Sequence, residues 1–259
     1  MKESLTDIYS SIKSWHLWTT LGWLELRQRY KRSIVGPFWI TLSMAVLIIA
    51  LGGIYGELFK LEVKEYLPML AVGLVFWNFI SGVINEGCVT FISSSSFISQ
   101  LPTKKFIYIM QMLWRNFMML CHNIVIVIGV LIIFNVFSLK NFPLFILGFM
   151  IVVVNLIWIA TLFAVISVRF RDFPQMVMSF MQVVFYITPI LFSGTMLAKY
   201  SLLLKLNPFA WFIEIIRSPL VGKMPELYCY YNSIILACVG TVISLITFAK
   251  CRNRIAYWV

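Results

Sequence analysis

Residues 24–39 read LELRQRYKRSIVGPFW. Arg27, Arg29, Lys31 and Arg32 come first, then Gly36-Pro37, then a run without charge as far as Glu57. Proline suits the first turn of a helix, where its missing N–H has no partner to lose. Pro37 therefore predicts the start of a first membrane span, and the four cations ahead of it hold that end on the cytoplasmic side. The sidedness of everything downstream follows from this junction.

The composition agrees with a membrane protein. Of 259 residues, 61% are hydrophobic and 12% charged, with a mean hydropathy of +0.91. A soluble domain carries roughly twice that charged fraction. Continuous apolar runs favour helices over a barrel, whose strands alternate. The net charge of +11 does not indicate nucleic-acid binding, because the cations gather at span ends, as sidedness and anionic lipid both require. The first long apolar run starts near residue 37, beyond the position of a signal peptide's apolar core, so the first span serves as an uncleaved insertion signal. Cys88, Cys121, Cys229, Cys238 and Cys251 lack metal spacing and read as free thiols.

The predicted fold is an all-α membrane protein with two parts, a cytoplasmic amphipathic segment over 1–36 and a six-helix transmembrane domain over 37–259. In the first part Leu5, Ile8, Tyr9, Ile12 and Trp15 recur at helical spacing, with Asp7, Ser10, Ser11 and Ser14 opposite. Such a helix lies in the membrane interface or packs on a partner protein. The spans are expected over 37–55, 67–92, 117–137, 142–168, 175–192 and 230–249. Residues 193–229 hold shorter apolar pieces interrupted by Lys199, Lys205, Glu214, Arg217 and Pro219, which predicts a helical hairpin re-entering the outer leaflet. Asn207-Pro208 fits a helix cap followed by proline at the first helical position. This topology puts both termini and fourteen of the 21 Lys and Arg residues inside.

No P-loop, HExxH or G-x-S-x-G motif is present. The chain has no means of hydrolysing ATP by itself, so a pump built on it draws energy from a partner or an ion gradient. Ion coupling requires acids within the spans, and only Glu86 qualifies, near the inner end of the second. The polar loop Ser93, Ser94, Ser95, Ser96, Phe97, Ile98, Ser99, Gln100 is either a docking knob for a cytoplasmic motor or a solvated turn. Trp77, Trp158 and Tyr186 fall too deep for an interfacial belt; together with Asn78 they either line a path for sugars or pack helices. Arg27, Arg29, Lys31 and Arg32 set topology first, and secondarily suit a phosphate or pyrophosphate headgroup.

Five stretches taken in order, LRQRYKRSIVGPFW, LAVGLVFWNFISGVINEG, RFRDF, ITPILFSG and LNPFAWFIEIIRSPL, resemble the type-2 ABC transporter permeases. The similarity is greatest to those exporting O-antigen, capsular and teichoic polysaccharides. It runs from about Leu24 to the end of the chain. The resemblance implies a homodimer working with two copies of a separate ATP-binding subunit, which holds the ATP and Mg. It implies a polymer carried on undecaprenyl pyrophosphate and moved across the bacterial inner membrane. Residues 93–101, through Leu101, would be the coupling helix, residues 5–30 the interface helix, and residues 196–221 the outer gate, with Asn207, Pro208 and Arg217 on the family's N-P…R pattern. The serine run at 93–96 departs from that pattern. Alternatives of other kinds are an exporter of drugs or small lipids, and an intramembrane glycosyl- or acyltransferase using Glu86 and His122.

Overall fold

The computed structural model describes residues 2–31, 36, 38–58, 60, 62–100, 104–136, 139–192 and 205–259. Pro37, Arg32, Leu101 and the hairpin's first arm, within 193–204, lie outside them. The described residues form ten α-helices: α1 (Lys2–Lys13), α2 (Trp15–Tyr30), α3 (Phe38–Leu58), α4 (Val63–Ser93), α5 (Ser95–Gln100), α6 (Phe106–Ile133), α7 (Phe142–Arg169), α8 (Phe173–Ile187), α9 (Pro208–Leu220) and α10 (Leu227–Trp258). Five of them, α3, α4, α6, α7 and α10, are long and apolar enough to cross a membrane.

Helix α8 differs from the expected span over 175–192. At 15 residues it extends about 22 Å, short of a hydrocarbon layer of roughly 30 Å. The cause is Thr188-Pro189. A residue before proline is driven out of the helical region, and Thr188 is extended at φ −81°, ψ 137°. Residues 188–192 continue without helix.

Helix α6 starts eleven residues before the expected boundary at Phe117, because Arg115, which had marked the inner edge of the span, lies inside the helix with its charge matched by two carboxylates. At the other end Asn135 takes a left-handed conformation (φ +52°), tolerable for asparagine. There Val136 N–H returns to Leu131 O at 3.1 Å, which closes the helix with a Schellman bond.

Helix α4 is the axis of the bundle. In its most apolar stretch 72% is buried, against 17% for α3 and α10. It packs on α6, α7, α3 and α8, while α7 also carries α10 and α9. Small residues bring these helices together, as is usual where lipid gives no hydrophobic drive for association. A Cβ on Gly87 would stand 2.9 Å from Ala160 Cβ on α7, and one on Gly148 would stand 2.5 Å from Ile215 O on α9. Gly240 of α10 lies flat against the Trp158 indole of α7.

The amphipathic N-terminal segment is turned the other way from a helix that hides its apolar face. Ser4, Asp7 and Ser11 are buried, whereas Leu5, Tyr9, Ile12 and Trp15 are exposed. The polar face is inward because Asp7 has partners there. Its carboxylate accepts from Arg252 Nε at 2.8 Å and from Phe106 N–H at 3.3 Å. The second bond caps α6, whose own N-cap residue, Lys105, supplies no side-chain bond, and a carboxylate favours that end of a helix dipole. Lys105 Nζ in turn donates to Arg252 O at 2.6 Å. Burial pushes the Lys105 ammonium below its ordinary range, with Arg252 acting in the same sense and Asp7 against it.

Replacing Asp7 by alanine should lower stability by about 2 kcal/mol, because it removes a buried partner of Arg252 and uncaps α6. Thermal unfolding of the purified protein in detergent measures this. In the same assay Gly148→Ala should destabilise by about 1–3 kcal/mol through overpacking. Gly53→Ala, whose Cβ would meet nothing within 4 Å, should not destabilise.

Candidate functional site

The polar loop after α4 is itself helical. Helix α4 ends at Ser93, Ser94 N–H returns to Thr90 O at 3.2 Å, and α5 follows immediately. Ser99 Oγ donates to Ser95 O at 2.9 Å. Ile98 is buried, 7% exposed, and α5 touches α10, while Phe97 is 58% exposed. One apolar side chain thus pins this short helix to the bundle and the other projects. The remaining polar residues, Ser95, Ser96, Ser99 and Gln100, lie along it.

The four-cation stretch is divided by the helical turn of α2. Arg29 faces the bundle, 3.6 Å from Glu86 of α4. Arg27 and Lys31 face a shallow groove of about 290 Å³ completed by Trp23, Leu26 and Tyr30. The groove therefore offers two cations, an indole and a phenol. Burial raises the Tyr30 pKa, with Arg29 lowering it and Glu86 raising it, so the phenol stays protonated near neutrality and can donate to an anion.

Beside this groove lies an ion cluster. Glu86 accepts from Arg115 Nη2 at 2.7 Å, from Arg115 Nε at 3.2 Å and from Asn116 Nδ2 at 2.7 Å. Arg115 also donates to Glu25 of α2, which accepts from Gln111 Nε2 at 2.6 Å. Three donors from α6 thus converge on one oxygen of Glu86, while Arg29 of α2 approaches the other. His122, the other polar residue considered for catalysis, donates from Nδ1 to Met118 O in its own helix at 2.8 Å. Glu25 and Arg115 were not singled out by sequence reasoning as a pair. The available signal was Glu25 one turn before Arg29, which puts both on one side of α2.

The four channel candidates separate into two kinds. Trp77 is 7% exposed, with its ring 5.8 Å from those of Phe185 and Phe209. Trp158 donates to Asn155 Oδ1 at 3.0 Å and is covered by Gly240. Both indoles pack helices within the chain. Asn78 and Tyr186 are exposed.

At the opposite end of α4 from α5, a set of side chains secures the irregular segment that follows α8. Asn207 caps α9 by accepting from Phe209 N–H at 3.0 Å, with Pro208 at the first helical position. Its Nδ2 donates to Thr188 Oγ1 at 3.0 Å. Arg217 is buried, 6% exposed; its Nη1 donates to Pro189 O at 2.7 Å and its Nη2 pairs with Glu214 at 3.3 Å. Tyr66 of α4, missed by sequence reasoning, donates to Leu191 O at 2.7 Å. Non-helical backbone at membrane depth needs such internal partners. Gly73 makes room for the segment, since a Cβ there would stand 3.3 Å from Ile190.

Arg217→Ala should lower stability by about 3 kcal/mol, since it leaves Glu214 and the Pro189 carbonyl without their buried partner. Asn207→Ala should lower it by about 1 kcal/mol through the lost cap. Unfolding midpoints of the two variants in detergent, read against the parent, give the order.

The chain matches a family model described as ABC-2 type transporter over residues 16–221. This region includes α2, the ion cluster, α5 and the Asn207–Arg217 clamp. Two curated proteins from Klebsiella pneumoniae, both named O-antigen export system permease protein RfbA, are similar to it. One is 25% identical over 241 residues and the other 24% identical over 242. Each alignment covers 90% of both chains. With five helices able to cross a membrane and a family match across most of its length, this multi-pass chain is the membrane component of a transporter and not an enzyme, and it belongs to the ABC-2 type transporter family.

Proposed function

We propose that the chain is the transmembrane subunit of an ATP-driven exporter that moves lipid-linked polysaccharide, such as O-antigen on undecaprenyl pyrophosphate, across the bacterial inner membrane. The observation that carries this reading is the likeness to two O-antigen export permeases over 90% of each chain. Family membership implies an ATP-binding partner subunit, and the lack of any P-loop in this sequence is consistent with one. In this reading two copies of the chain work with two ATP-binding subunits, which hold ATP and Mg, and both termini face the cytoplasm. Helix α8 with its continuation serves as the fifth of six spans, α10 as the sixth, and α9 belongs to the outer gate.

Residues 93–101 are the coupling segment. Supporting this, Phe97 projects from a helix anchored by Ile98, a shape suited to insertion into a cleft. Arg27 and Lys31, with Arg29 and Arg32 of the same sequence stretch, receive the pyrophosphate. Arginine pairs with phosphate bidentately, and the groove lies on the same α2 that presents apolar side chains outward. Asn78 and Tyr186 are the candidates with an open face for the sugar path. Asn207, Pro208 and Arg217 hold the outer gate closed by fixing the backbone at 188–191.

Coexpression with the ATP-binding subunit tests the reading. The complex should copurify and deliver lipid-linked polymer to the outer leaflet, while Phe97→Asp should abolish delivery and leave membrane insertion intact. Arg27→Gln with Lys31→Gln should weaken binding of a pyrophosphate-linked substrate by roughly tenfold or more, taking about 1 kcal/mol for each cation removed. Delivery unaffected by Phe97→Asp refutes the coupling assignment.

A further inference from the structure

We infer that Arg115 and Glu25 are positioning residues that fasten α2 to α4, so that the headgroup groove and the coupling segment move as one body. The inference rests on the proposed roles of α5 and the groove.

The Arg115 guanidinium, 16% exposed, sits between two carboxylates from different helices, Glu86 on α4 and Glu25 on α2. Gln111, one turn before Arg115, adds a second bond to Glu25, and Asn116 adds one to Glu86. Helix α5 continues directly from α4, two turns beyond Glu86. Backbone approach reinforces the join, since a Cβ on Gly22 of α2 would stand 3.1 Å from Gln111 O. A displacement of α5 is therefore delivered through α4 and Arg115 to α2, whose far side carries Arg27 and Lys31 on the groove. The Arg115–Glu86 pair is mostly buried, and Glu25, itself 43% exposed, is held by Arg115 and Gln111 together, which makes it firmer than a lone exposed pair.

Glu25→Ala removes the stronger part of this link and leaves the looser, half-exposed approach of Arg29 to Glu86, at 3.6 Å. Arg115 keeps Glu86, so no buried charge is stranded. Spin labels at Leu24→Cys and Val89→Cys, both exposed in the parent, report the α2–α4 separation, with the accessible Cys121, Cys238 and Cys251 changed to serine and labelled chains diluted with unlabelled ones. In the complex with the ATP-binding subunit the parent should give one narrow distance distribution with and without ATP. Glu25→Ala should broaden it and reduce export several-fold at an unchanged basal rate of ATP hydrolysis. Bridging Glu25→Cys to Gln111→Cys with a short bifunctional thiol reagent should restore the narrow distribution and export. A distribution that stays narrow in Glu25→Ala overturns the inference, as does a bridged protein no better than Glu25→Ala. Because the distances do not depend on any substrate, a failed headgroup assignment would appear separately, as unchanged pyrophosphate binding in the Arg27→Gln, Lys31→Gln protein.

Discussion

Lipid tails are as apolar as leucine, so helices in a bilayer gain nothing by hiding leucine from their surroundings. What holds them is close contact and internal hydrogen bonding. The seam through α4, α7 and α10 follows from this constraint. Gly87 meets Ala160, Gly148 admits the Ile215 carbonyl of α9, and Gly240 accepts the face of Trp158. Asn155 then donates to Ser233 O across the same seam at 3.0 Å. The outer helices α3 and α10 remain mostly uncovered in the single chain, so order within the bundle comes from its centre and not from its rim.

The same constraint governs the buried charges among the described residues. Glu86 and Arg115 sit in helices apolar enough to cross a membrane, and each is matched: two carboxylates converge on one guanidinium, and side-chain amides take further acceptor positions. At the other end Arg217 and Tyr66 answer the carbonyls freed by Pro189. These polar groups thus fix irregular or charged parts of the chain itself.

Local signals in the sequence located most of the helices. The cap at Asn207 and the starts of α7 and α9 were legible because one or two adjacent residues determine them. Thr188-Pro189 was equally local and was passed over, since the apolar run continues through it to Phe192. Arg115 misled because a charge normally ends an apolar span, and its compensation comes from residues 29 and 90 positions away. The inward polar face of α1 could not be read either. Asp7 looked like a solvated aspartate, and its main partner is 245 residues distant. The cation cluster before Pro37 was visible as composition, but its division between ion cluster and groove depends on the rotation of α2 against α6.

The bond between Asp7 and Arg252 also has a temporal meaning. A ribosome delivers α1 well before the end of α10, so Arg252 is absent while the intervening helices are being threaded into the bilayer. Until then α1 is held by its apolar side, Leu5, Tyr9, Ile12 and Trp15, and by the bond from Phe106 N–H to Asp7, and its full seating on the bundle is a late event that follows completion of α10.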